Sequence, residues 1–318
     1  MQRALATVLF PGRCAAAMLS VAAAMSAMPM IARADVIFEG EQGSQHRVGA
    51  YTTTGATVNA SLITGLGTPQ GGGPEGIAVS GSNLFVAYGG GFISGGSDKV
   101  GEYTTSGAPV NASLITGLSL GNNQSIALSG SNLFTASTIS SSIGEYTTSG
   151  ATVNASLITG LFNLEGVAVS GSDLFVLTGN QIGEYTTSGA TVNASLITGL
   201  SQPLGLAVSG SNLFVTNNTG GTVGEYTTSG ATVNASLITG LSGPIGIAVS
   251  GSNLFVTNSN IGTIAEYTTS GATVNASLIT GLDNVKPIAV APVPEPSTAM
   301  LLTGGLAVLS VARRRRAD

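Results

Sequence analysis

Five glutamates occupy the same place in an internal repeat. Glu102, Glu145, Glu184, Glu225 and Glu266 each precede a repeated tyrosine, and Ala50 takes that place in the remaining copy. Carboxylates spaced evenly round a ring are suited to gathering cations. Adjacent residues of a strand face opposite ways, however. If the tyrosines pack inward, the glutamates point into a polar seam or to solvent, and no metal ligand is assigned among them. Asn217 and Asn258 have amides that suit a metal set, but the single, asymmetric acids needed to complete one are not apparent. The one histidine, His46, lies in the stretch Gln-Gly-Ser-Gln-His-Arg. With no partner at a recognisable spacing, it reads as a solvated loop residue rather than a general base. No Gly-x-Ser-x-Gly elbow with a matching acid and base is present. The only cysteine is Cys14. Asn59, Asn111, Asn154, Asn193, Asn234 and Asn275 each begin an Asn-Ala-Ser triplet, a glycosylation acceptor pattern. They read here as a turn asparagine copied with its repeat. No catalytic, cofactor-binding or metal-ligating residue is therefore assigned, and the chain reads as a non-enzyme.

The elements that position these residues come from one unit. Tyr-Thr-Thr-Ser-Gly-Ala-Thr-Val-Asn-Ala-Ser-Leu-Ile-Thr-Gly-Leu starts at Tyr51, Tyr103, Tyr146, Tyr185, Tyr226 and Tyr267, with Thr54 and Pro109 the departures. The spacings are 52, 43, 39, 41 and 41 residues. A second element like Ala-Val-Ser-Gly-Ser-Asn-Leu-Phe-Val lies between successive copies. Each period holds four short strand candidates. Around Tyr226 they are Gly205–Val208, Asn212–Thr216, Thr222–Thr228 and Ala235–Thr239, with Ser-Gly-Ala-Thr-Val-Asn read as turn chemistry. Continuous apolar runs such as Leu213-Phe214-Val215 fit strands covered on both faces. Four strands in about 40 residues is the period of a propeller blade.

The ends of the repeat region sharpen the count. Val36-Ile37-Phe38 matches the second strand of a blade, and Pro287-Ile288-Ala289-Val290 matches a first strand with no second after it. The strand missing at one end is present at the other. The expected fold is an all-β, six-bladed β-propeller over 35–291, closed by the C-terminal strand, with a β-solenoid as the alternative. Pro203, Gly205, Ala207, Leu213, Phe214, Val215 and Tyr226 fall on a pattern that resembles NHL-type propeller repeats. The resemblance covers nearly all of the repeat region. One departure is Ser209 and its equivalents, where the family often has Asp.

Both termini carry addresses. Residues 1–34 read as a secretory signal peptide, with Arg3 and Arg13 in a basic start, an apolar run from Cys14 to Ile31, and Ala32-Arg33-Ala34 as the cleavage site. At the other end, Val293, Pro294, Glu295 and Pro296 precede an apolar run from Ala299 to Ala312, capped by Arg313, Arg314, Arg315 and Arg316. This order over 292–318 closely resembles the PEP-CTERM sorting signal. The resemblance implies a short transmembrane segment at 299–312 and an exosortase-type membrane protease as partner. It also implies display at the surface, or in the extracellular matrix, of a Gram-negative bacterium.

Charge narrows the function. Between Asp35 and Val293 only Arg47, Lys99 and Lys286 are basic, against thirteen acidic residues. That sign argues against nucleic acid or an anionic membrane as partner. The segments that differ between periods are Gly67–Glu75, Ala87–Val100, Thr135–Ser142 and Leu177–Gln181. In a four-stranded meander they all fall on one face of the ring, where recognition is expected. The functional expectation is an exported structural or binding propeller, with extracellular polysaccharide or another surface protein as partner and no cofactor. The alternative is a metal-dependent propeller enzyme acting on a lactone or polysaccharide.

Overall fold

The run Asn-Leu-Phe-Val sets the architecture, because successive side chains of a strand point to opposite faces. The computed structural model describes residues 35–67, 72–89, 98–121 and 125–291. In it Leu213, Val215 and Tyr226 pack with Phe175 and Leu177 of the preceding repeat. Phe214 packs the other way, with Leu254, Val256 and Tyr267 of the following repeat. The same exchange of a phenylalanine for a leucine and a tyrosine is made at three other seams, and at the one that joins the last repeat to the first Ile37 takes the place of the leucine. Each of these phenylalanines is fully buried.

The strands pair into six antiparallel sheets of four, one per blade. Blades 2 to 6 span 74–118, 126–159, 164–198, 203–238 and 244–280. Blade 1 spans 36–63 and takes its innermost strand, Val285–Ala291, from the far end of the sequence. In that sheet Val36 pairs with Ala291 and Ile37 with Val290. The six innermost strands neighbour one another all the way round the axis. The fold is thus the expected six-bladed propeller, closed by the C-terminal strand, and the open solenoid is set aside. Helical structure among the described residues is one turn, Ser259–Ile261. No described helix is long and apolar enough to cross a membrane. The runs read as signal peptide and as transmembrane segment lie outside the described residues.

Blade 5 tests the strand boundaries. Its strands are Pro203–Ser209, Asn212–Asn217, Thr222–Thr227 and Thr232–Ile238. The outermost strand starts earlier than the Ala235 expected from sequence, and Thr232-Val233-Asn234 belong to it rather than to a turn. The reason is local. The Ala231 amide donates to Thr227 Oγ1 at 3.0 Å, and the Gly230 amide donates to the Thr227 carbonyl at 2.9 Å. The reversal is complete by Ala231, which frees the next residues to pair. Gly230 is required there, with φ of 89° and a would-be Cβ 2.8 Å from the Leu196 carbonyl of the preceding blade.

A second close approach ties the blades near the axis. Thr216 Oγ1 donates to the Ile245 carbonyl at 2.8 Å and accepts from the Gly205 amide at 2.8 Å. Thr257 links blade 6 to the closing strand likewise, donating to the Lys286 carbonyl at 3.2 Å and accepting from the Gly246 amide. Closure therefore rests on one ladder plus one seam. Deleting Lys286–Val290 removes Ile288 from the seam between blades 6 and 1 and leaves Val36–Glu41 as an open edge. A loss of several kcal/mol, at roughly 2–4 °C per kcal/mol for a chain of this size, should lower the thermal midpoint of the whole ring by on the order of 10 °C. An unchanged midpoint in thermal unfolding would mean that closure carries no stability.

Candidate functional site

Each innermost strand starts at the face that carries the second turns and the blade links, because every sheet is an antiparallel meander. The residue that begins the approach to the axis is Glu75, Glu165, Leu204, Ile245 or Lys286 in the five blades where it is described. These residues line a single axial cavity of about 140 Å³. Lys286 Nζ lies 3.7 Å from Glu75 Oε2, an oxygen that has no hydrogen-bond partner. Burial raises the Glu75 carboxyl to about 7, with Lys286 and Gln42 pulling it part of the way back and Asp98 adding to the rise. The mouth is thus half charged and half aliphatic. Its volume is below the 300–1,000 Å³ of an ordinary small-molecule site, so it suits one small group rather than a whole ligand.

This mouth corrects the expectation that no asymmetric acids stand near the axis, since Glu75 and Glu165 do. They were missed because the position differs in every blade. Only superposing the periods on the residue ahead of the first-strand Gly-x-Ala brings them together. Among the described residues no group of three His, Cys, Asp or Glu is placed to hold a metal ion. Asn217 and Asn258 serve the links instead. Their Oδ1 atoms accept from the Ser201 and Ser242 amides at 3.2 Å each. His46 is not fully solvated: its Nδ1 is buried and without a hydrogen-bond partner.

The repeated glutamates sit in a polar seam within each blade. Asn83, Asn132, Asn212 and Asn253 donate to Glu102, Glu145, Glu225 and Glu266 at 2.8 to 2.9 Å. Two blades break the pattern in different ways. Blade 1 replaces both partners at once, with Val36 and Ala50 in the corresponding strands. Blade 4 replaces only one: Asp173 stands where the others have asparagine. Glu184 there has its carboxyl raised by burial and by the Asp173 charge.

The asparagines of the Asn-Ala-Ser triplets lie in the outermost strands, not in turns. In all six blades the asparagine Oδ1 accepts the backbone amide of the serine two residues on, at 3.0 to 3.1 Å. The strand is bulged beside it, so that Tyr226 pairs with Thr232, Glu225 with Asn234 and Val223 with Ile238. The side chain thus seals an amide of an edge strand.

The closing seam holds the most unusual group. Glu39 occupies the strand position of Val215 and Val256 and is fully buried. Neither of its oxygens has a hydrogen-bond partner. Burial, reinforced by Glu41, raises its carboxyl to about 8, while Arg47 and the nearby Gly49 amide oppose the rise. Arg47 itself is engaged with Glu41 through two contacts of 3.0 Å.

The sorting residues Val293, Pro294, Glu295, Pro296 and Arg313–Arg316, and the cleavage residues Ala32 and Ala34, lie outside the described residues. The sequence of the tail is informative by itself: residues 292–316 match the PEP-CTERM protein-sorting motif. No curated protein matches the chain. A chain in the crystal structure of a nidogen/laminin complex shares the fold, with a TM-score of 0.62 at 15% identity over 81% of this chain and 98% of that one. A crystal structure of the computationally designed protein Ika8 aligns with a TM-score of 0.44 at 11% identity, over 76% and 71% of the two chains.

Two measurements follow from these polar groups. Glu39 is raised in the folded ring to about 8 from an ordinary 4.5, so its contribution to stability is fully present below about pH 4.5 and is lost as pH rises through 8. Glu75 acts in the same direction with its value of about 7. The thermal midpoint of Glu39→Val should therefore exceed that of the natural chain at pH 8. Its decline from pH 5 to 8 should be shallower, with Glu75 supplying the slope that remains. Parallel curves for the two proteins would contradict the assignment. In blade 4, Asp173→Asn supplies the missing donor and removes a like charge. Chemical denaturation should show a gain of about 0.5–1 kcal/mol, whereas the same exchange reversed in blade 5, Asn212→Asp, should lose a similar amount.

Proposed function

We propose that this chain is an exported, non-catalytic binding or structural propeller that an exosortase-type protease sorts to the cell exterior. The observation that carries the reading is the junction at the end of the ring. The closing strand ends at Ala291 and the sorting motif begins at residue 292, so folded body and sorting signal abut. In this reading residues 1–34 are removed at Ala32-Arg33-Ala34. The apolar run at 299–312 with Arg313–Arg316 then holds the body at the membrane until cleavage near Pro294-Glu295-Pro296. The variable face, with the axial mouth and the second turns, is the side that meets extracellular polysaccharide or another surface protein. A rigid scaffold with divergent loops supports binding of that kind.

A second reading rests on Glu75. A carboxyl raised to about 7 beside an ammonium has the proton affinity of a general acid or base at neutral pH. That reading makes the mouth a site for turnover of a lactone or polysaccharide. Assaying such substrates with and without divalent metal, and again with Glu75→Gln, separates the two. Turnover that is lost with Glu75→Gln would establish the enzyme.

The sorting reading has its own check. Mass spectrometry of material released from the cell surface should find chains that begin at Asp35 and end near Pro294–Ser297. Recovery solely of chains that retain Arg313–Arg316 would overturn cleavage and leave a permanent anchor.

A further inference from the structure

The outer rim of the ring reverses the usual relation between exposure and change. Surface positions are ordinarily the freest to vary. Here the buried ends of the second strands take several forms, Gly40-Glu41, Ala87-Tyr88, Ala136-Ser137 and a Thr-Asn pair shared by Thr216-Asn217 and Thr257-Asn258. The outermost strands are exposed over most of their length, yet their residues are the same in every blade but for Pro109. Packing accounts for the tyrosine, the isoleucine and the last leucine of the repeat, and the seal on the edge amide accounts for the asparagine. Packing within the ring does not account for Val58, Val110, Val153, Val192, Val233 and Val274, which are 53 to 57% exposed.

Two further observations identify what meets this rim. The outermost strands contain no charged residue, whereas the repeat region has thirteen acidic residues and three basic ones. The rim is thus the part of the surface on which two such bodies approach without like-charge repulsion. The ends of the ring also limit how far copies stand from an anchoring membrane. Ala291 pairs with Val36, so the described chain starts and stops side by side, at the axis and on the face opposite the variable loops. Residues 292–298 are all that separate Ala291 from the apolar run beginning at Ala299, a reach of at most about 25 Å. On the anchoring reading given above, so short an axial tether keeps the rings of neighbouring copies close to the same membrane and their rims within reach of one another.

We infer that the six neutral outer strands form a self-association surface, through which copies of this chain contact one another edge to edge in the plane of the membrane. The contact is made by side chains. Continuous strand pairing is opposed by the bulge and by the asparagine that occupies the edge amide in every blade. Each such contact is small and weak. Six copies of it round one ring multiply the avidity, and identical edges spaced round a six-bladed disc extend in a plane rather than closing on a dimer.

The test uses the full chain carrying Cys14→Ser, so that one added cysteine is the only thiol. Three variants are compared in isolated membranes with a short bis-maleimide cross-linker: Val233→Cys on the rim, Ser211→Cys on the tail-side face and Thr219→Cys on the variable face. All three positions are exposed. The rim variant should yield at least tenfold more covalent dimer than either control. Adding Ala235→Lys to the rim variant should return it to the control level, while single-site labelling of Val233→Cys remains unchanged. Equal dimer at all three positions overturns the inference. So does loss of polysaccharide capture with Ala235→Lys when no rim cross-link forms, since the rim would then be a glycan surface. The same gel reports the length of the tail. Repeating the cross-link on the soluble fraction separates the two readings, since rim cross-links found there in full-length chains and not in the membranes would sink the anchoring reading and leave the contact standing.

Discussion

Everything in this molecule depends on seams that face both ways. A blade carries Phe214 toward one neighbour and Leu213, Val215 and Tyr226 toward the other, so it is apolar on both faces and no blade covers itself. In a linear stack the first and last blades would each expose one such face. Bending the stack into a ring covers them with each other, and Ile37 and Tyr51 of blade 1 meet Phe255 of blade 6 at that joint. No cysteine follows Cys14, so packing and one strand ladder hold the ring shut. The demand for close approach explains Gly205 and Gly246, where a Cβ would collide with the Ile245 and Lys286 carbonyls of the next blade.

The polar groups show what such seams tolerate. A buried carboxylate paired with an amide is acceptable, as Glu225 with Asn212 demonstrates. Replacing both partners by apolar residues is equally acceptable, as Val36 and Ala50 show. Changing one partner removes the amide donor and sets two carboxylates side by side, and blade 4 carries that mismatch at half-buried Asp173 and Glu184. Glu39 goes further, standing where other blades have valine. It places a fully buried carboxyl without a hydrogen-bond partner at the joint between first and last blades.

The architecture was legible because its signals are repeated. One ambiguous run of Leu-Phe-Val does not distinguish a strand from a buried helix, but the same run once per period, with Gly-Ser-Asn before it, does. The count of blades and the closing strand followed from matching Val36-Ile37-Phe38 and Pro287–Val290 to the middle of a period. What was not legible was whatever occurs once. Glu75, Glu165 and Lys286 share a position that no pattern marks, and they meet only because the ring brings the starts of six strands to one axis. The outermost strand was mistaken for a turn over Thr232-Val233-Asn234 because Thr, Asn and Gly favour turns locally. The Thr227 hydroxyl ends the reversal early and tertiary pairing claims the rest.

The position of the closing strand also decides how the ring bears load. Any pull on the tail enters at Ala291 and runs along Val285–Ala291, the innermost strand. Its partner strand, Val36–Glu41, is antiparallel to it and begins beside the same end. A tug from the tail thus draws the strand lengthwise out of its blade. The hydrogen bonds of the ladder are strained together in shear rather than parted one at a time as in a zipper. At the far end of the strand, the Thr257 hydroxyl on the Lys286 carbonyl and the Lys286–Glu75 pair act as a knot at the end of a drawn thread. Shear loading resists sudden force far better than peeling does. A pull along the axis is therefore met by the whole ladder at once and by the two contacts of Lys286 that hold the far end of the strand.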